Sequence, residues 1–204
     1  MRLRSAGFWD RPGGQCEECR SGSTQRCTEP GRAWLGLFHD GGLAGTVVVP
    51  EFTLLALPAQ LDVKDACLIE PGAVAWHGVR RARAQPGERL LVVGGGSVGL
   101  LAAAAAKHQG LDVDVDTRHD HQLAAAERLG FGRPSGAYDV VLDAAGSESS
   151  LARSAEAARP GGRVVSLGVY MTTMPIPGRV SLDEEMSAAQ HRPAGTRLKY
   201  CAAR

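Results

Sequence analysis

The run RLLVVGGGSVGLLAAAAAK, residues 89–107, limits the fold more than any other part of this chain. A continuous Leu and Val strand runs through a glycine-rich turn into an alanine-rich helix. Such a strand has no polar face, so it belongs in a parallel sheet covered on both sides. Gly94, Gly96 and Gly99 match G-x-G-x-x-G in that strand, turn, helix setting. The first glycine permits the tight turn, the second lets backbone approach a diphosphate, and the third lets helix and sheet close up. The amides of Ser97 and Val98, at the positive end of the helix dipole, then face the phosphates. Two other readings stay open at this point: glycines that serve packing alone, and the similar turn of adenosyl-cofactor methyltransferases. Residues 90–106 carry no charge, but the run is short of the roughly 20 apolar residues of a membrane span and three consecutive glycines break it.

After this unit strands and helices alternate: LDVDVD, HQLAAAERLG, YDVVLDAAG, SSLARSAEAARPGG and RVVSLG. The expected architecture is α/β, a doubly wound parallel sheet of four or five strands. Dinucleotide choice is written at the end of the second strand, where an acid takes a ribose 2′-hydroxyl and an arginine tolerates a 2′-phosphate. The acid position falls at Thr117 or Arg118, which favours NADP, while Asp116 just before them keeps NAD open.

Lys and Arg total 23 against 22 Asp and Glu, a balance that gives no reason to expect a nucleic-acid or membrane partner. Five cysteines, three of them within Cys16–Cys27, make a poor disulfide framework and suit metal ligation in a reducing cytosol. No secretory signal is expected at MRLRSAGFWD. The first 45 residues read as loop, GTVVVP and FTLLALP as short strands, and DVKDACLIEPGAVAWHGVRRARA as a helix with Asp65 as an early cap. After Tyr170 no period persists, and residues 181–204 are expected to form a disordered tail.

Together, GGQCEECRSGSTQRC, DGGLAGTVVVP, ACLIEPGAVAWHGVRRA, LLVVGGGSVGLLAAAAAK, YDVVLDAAGSESSL and RPGGRVVSLGVY resemble, in this order, the zinc-containing medium-chain alcohol and polyol dehydrogenases. The resemblance covers about Pro12 to Pro177. It implies a GroES-like catalytic domain, represented by residues 1–75, and a Rossmann domain at 76–180. It implies reversible hydride transfer between a small-molecule alcohol and NAD(P), with Gly94, Gly96, Ser97, Val98, Gly99, Thr117 and Arg118 at the cofactor. It also implies zinc. Cys16, Cys19 and Cys27 match three ligands of the family's structural lobe, and Gly13 stands where the fourth cysteine would be. Water, Asp10 or His39 are the replacements considered.

Glu70 matches the acidic catalytic-zinc ligand of the polyol type. The cysteine and Gly-His-Glu motif that complete that site in the family have no counterpart here, so impaired catalysis is expected. His77 is a lesser, substrate-facing candidate. The short connection between FGRPSG and YDVVLD suggests one strand fewer than usual. No strand is expected after Leu167, which would leave Val164–Leu167 as an open edge inviting a second copy. A non-catalytic NADP(H)-binding module and an inactive remnant are the alternative readings.

Overall fold

The computed structural model describes residues 3–5, 14–22, 27, 36, 40–49, 54–169, 180–182 and 196–200. They form two compact units, Met1–Glu70 with Arg204, and Pro71–Ala203. Gly13, Asp10 and His39 lie outside the described residues. No helix among the described residues is long and apolar enough to cross a membrane.

In the first unit, strand β1 (Leu3–Ser5) pairs antiparallel with β2 (Leu54–Ala56), Arg4 opposite Leu55. A four-residue helix α1 (Glu17–Arg20) carries the cysteine segment. Residues 46–49 form no ladder, in contrast to the strand expected of GTVVVP. Val47 and Val48 are exposed there, and strand propensity without a partner and a covered face does not make a strand. The helix expected from Asp62 onward starts as a 3-10 helix, Val63–Leu68. Asp62 rather than Asp65 caps it, accepting from Lys64 N at 3.1 Å.

Helix α2 (Ile69–Ala82) leads into the second unit. The chain then alternates through β3 (Arg89–Val93), α3 (Ser97–His108), β4 (Asp112–Asp116), α4 (Asp120–Arg128), β5 (Tyr138–Asp143), α5 (Glu148–Ala157) and β6 (Ala158–Ser166). These four strands are parallel, in the order β4-β3-β5-β6. Successive side chains leave a strand on opposite faces. Leu90 and Val92 accordingly join Val79, Ala102, Ala103 and Ala106 on one face of the sheet, while Leu91 and Val93 join Leu151 and Ala155 on the other. Leu90, Leu91, Val92, Val140, Val141 and Leu142 are all fully buried, each worth roughly 1.5–3 kcal/mol of transfer free energy.

Outside β4 the sheet is extended only by a parallel bridge between Asp114 and Gly132, as the short connection leads one to expect. At the other side the structure differs from the sequence reading. Two further strands, β7 (Val180–Leu182) and β8 (Thr196–Tyr200), extend the sheet, and β8 pairs with β6 in parallel, Val164 opposite Leu198. Thr196, Leu198 and Tyr200 alternate with Arg197 and Lys199, a period of two that is too brief to stand out from flanking Ala and Gly. Val164 is therefore paired on both sides, and the open edge that suggested a second copy is filled. Residues 183–195 and 201–204 lie outside the described residues.

One ion pair gives the second unit a pH signature. Arg159 Nε donates to Asp139 Oδ1 at 2.6 Å, and Arg89 N to Asp139 Oδ2 at 2.9 Å. The Arg159 hydrogen bond first, and then the Arg89 amide, hold the Asp139 carboxyl below its ordinary 3.8. A carboxyl depressed in the folded state adds stability that is complete above the unfolded value and lost as pH falls through the folded one. Asp139→Asn should cost on the order of 1 kcal/mol near pH 7. In urea melts the gap from the parent chain should close towards about pH 2. A gap that stays constant with pH rules out this linkage.

Candidate cofactor-binding site and cysteine cluster

From β3 the chain passes outward to β4, then returns to place β5 on the opposite side of β3. The strand order thus reverses between β3 and β5. In open parallel sheets the crevice at such a reversal, at the carboxyl ends of the strands, is where ligands sit. Two loops flank it here: Gly94–Gly96 after β3 and Asp143–Gly146 after β5.

The glycines of the first loop have different reasons to be glycine. Gly94 has φ +109°, and a Cβ there would lie 3.0 Å from Ala145 N. A Cβ on Gly95 would sit 3.0 Å from Thr117 Cβ and Gln122 Cβ. On Gly99 it would lie 1.9 Å from Gly94 O, so α3 could not approach the turn with any larger residue. Gly96 alone is different. It caps α3 in an extended conformation, and a Cβ on it would meet nothing within 4 Å. The protein's own packing does not require glycine at 96, and the space above it is open. No side chain caps α3, whose first turn contains Ser97, Val98 and Gly99. These amides are donors at the positive end of the helix.

The neighbouring segments are clamped to this turn. Gly94 N donates to Asp116 O at 2.8 Å, and Ala144 N donates to Val93 O at 2.9 Å. Asp143 is fully buried at the end of β5. Its carboxylate accepts from Ala145 N at 3.0 Å, Gly146 N at 3.3 Å and Ser150 Oγ at 3.0 Å, which fixes the loop that walls the crevice. Sequence reasoning passed over Asp143; the cue was an acid closing an otherwise apolar strand just before Ala-Ala-Gly.

At the end of β4, Thr117 Oγ1 bonds Gln122 Oε1. Arg118 is exposed, with no hydrogen-bond or ion-pair partner among the described residues. Asp116 is engaged: Arg153 Nε, on α5, donates to its Oδ2 at 2.7 Å. Arg153 was not legible as a site residue, because 37 positions separate it from Asp116.

Cys16 caps α1 and Cys19 lies one turn on, so their side chains fall on the same face, and Cys27 is buried beside them. The three sulfurs lie within 4.8 Å of one another, Cys16 to Cys27 being 3.9 Å. Tetrahedral zinc with thiolates at about 2.3 Å sets its sulfurs about 3.8 Å apart, so the trio fits three corners of such a site. Desolvation first, then hydrogen bonding with Cys16, push the Cys19 thiol up to about 11. A bound cation would reverse that, since a coordinating thiol is deprotonated. No fourth ligand joins the trio among the described residues.

Glu70, second residue of α2, is partly buried, and among the described residues no group of three or more metal-binding side chains includes it. His77 is an exposed α2 residue, its imidazole held below the ordinary value by partial desolvation and then by Arg81 and Arg80.

A scan against protein-family models finds no match. The chain is 32% identical over 179 residues to a 2-dehydro-3-deoxy-L-galactonate 5-dehydrogenase of Pseudoalteromonas atlantica, covering 80% of this chain and 52% of that protein. It is 36% identical over 176 residues to an L-galactonate-5-dehydrogenase of Escherichia coli K12, covering 76% and 50%. It spans about half the length of the curated relatives it matches. A solved structure from Sinorhizobium meliloti, described as a zinc-binding dehydrogenase bound to NADP, superposes with a TM-score of 0.78 at 26% identity, covering 96% of this chain and 60% of that one. The parallel sheet with its glycine turn is a Rossmann fold, and over the half of its relatives that it spans the chain is similar to zinc-type medium-chain alcohol and polyol dehydrogenases.

Proposed function

We propose that this chain binds NADP(H) at the β3–α3 turn and serves an oxidoreductase that moves hydride between a small alcohol or polyol and that cofactor. The observation that carries the reading is Gly96, a glycine with open space where its Cβ would be, at the point where the strand order reverses. Backbone at Gly94, Gly96 and Gly99 admits the diphosphate, and the amides of Ser97 and Val98 receive it. Thr117 and Arg118 lie on the adenosine side, with the exposed guanidinium facing a 2′-phosphate. The Sinorhizobium relative solved with NADP supports the same choice.

Cys16, Cys19 and Cys27 would hold zinc as a structural ion, tying α1 to the segment around Cys27 through charged thiolate bonds that a loop this poor in apolar residues lacks. Glu70 matches the acidic position of the polyol type, and among the described residues no group of three or more metal-binding side chains includes it. The reading therefore assigns this chain cofactor binding and cofactor orientation. That same donor set favours a second reading, an NADP(H)-binding module without turnover of its own.

Titration of the purified chain with NADPH, followed by nicotinamide fluorescence, tests the first claim. Saturation below about 1 mM is expected, the upper end of ordinary cofactor and substrate constants, and no saturable change at that concentration removes it. Polyol oxidation assayed with and without added zinc then separates the readings. Zinc-dependent turnover identifies the enzyme, and binding without turnover identifies the module.

A further inference from the structure

Asp116 ends β4 beside the glycine turn, its main-chain oxygen accepting from Gly94 N at 2.8 Å. A free carboxylate there would do two things to an arriving dinucleotide. It would accept hydrogen bonds from the vicinal hydroxyls of an unmodified adenosine ribose, and it would repel a 2′-phosphate. Arg153 Nε holds its Oδ2 at 2.7 Å, which offsets the negative charge and takes up one of its two oxygens, so both effects are weakened. The terminal nitrogens of Arg153 make no other hydrogen bond among the described residues. Arg118, two positions along the chain from Asp116, is exposed and has no hydrogen-bond or ion-pair partner among the described residues.

We infer that Arg153 is a specificity-determining residue: by engaging Asp116 it offsets the acid next to the ribose position and selects a 2′-phosphorylated dinucleotide over the unphosphorylated one. This rests on the cofactor reading above. It also explains how an acid can stand at the strand end without drawing the chain towards NAD. The side chains are 43% and 27% exposed for Arg153 and Asp116. A pair that wet contributes little to stability, so it can be removed without unfolding the chain.

The test compares NADPH and NADH dissociation constants, by fluorescence titration of the full chain, for the parent, Arg153→Ala, Asp116→Asn and the double variant. Urea melts confirm that each is folded. Arg153→Ala should weaken NADPH about tenfold, because the Asp116 carboxylate it releases then repels the 2′-phosphate. NADH should hold or tighten, so the preference collapses. Asp116→Asn should keep the NADPH preference. The double variant should recover most of it, because no carboxylate remains to repel the phosphate, a coupling that a structural role for Arg153 would not produce. Equal weakening of both dinucleotides in Arg153→Ala, or no change in either, overturns the inference and leaves the cofactor reading standing. A parent chain that binds neither dinucleotide overturns both.

Discussion

Gly99→Ala should destabilise the chain by about 2–3 kcal/mol and abolish dinucleotide binding, whereas Gly96→Val should leave stability nearly unchanged and still weaken NADPH at least about tenfold. The contrast follows from what each new side chain would meet. A methyl on Gly99 would lie 1.9 Å from Gly94 O and 3.0 Å from Gly94 C, both backbone atoms, so the turn or the helix must move. Alanine's better helix propensity returns only about 1 kcal/mol against that strain. At Gly96 a new Cβ meets nothing within 4 Å, and what the side chain fills is the space left for a ligand. Paired urea melts and NADPH titrations read the two effects separately. A Gly96→Val chain that binds NADPH as the parent does would show that the turn does not face the diphosphate.

The second large effect is expected at Asp143. Asp143→Ala removes a fully buried carboxylate and takes the acceptor from the amides of Ala145 and Gly146, while the Ser150 hydroxyl keeps Ser147 O at 2.8 Å. A buried donor left unsatisfied costs roughly 1–3 kcal/mol, and with Ala145 exposed and Gly146 half-buried a loss of about 2 kcal/mol is expected. The damage should spread to ligand affinity, because Ala145 packs against Gly94 and loses the anchor that holds it there. Asp143→Asn keeps an acceptor for both amides and should cost clearly less on both measures. If Ala and Asn behave alike in melts and in titrations, the loop is not held by this acceptor.

What could be read from the sequence was what depends on neighbours in the chain. The turn at Gly94–Gly99 and its flanking strand and helix are local, and their periods are long enough to recognise. The closeness of Cys16, Cys19 and Cys27 follows from spacing across one helical turn and a short return. The rest depended on partners. GTVVVP has strand propensity but no ladder, since Val47 and Val48 stay exposed. TRLKY has little propensity signal, yet β6 offered it a row of unpaired main-chain groups. Asp116 keeps NAD open in the sequence, and its pairing with Arg153 is a contact between separate elements that no local pattern shows.

The bonds from Gly94 to Asp116 and from Ala144 to Val93 clamp the glycine turn on both flanks. An incoming phosphate would therefore find its donors already arranged, with little ordering entropy left to lose. Association should be set by diffusion and charge rather than by a slow rearrangement, so affinity differences among turn variants should appear in the dissociation rate. Amide exchange at Gly94 and Ala144 should be slow with or without ligand, as expected of a rigid cradle rather than a closing one.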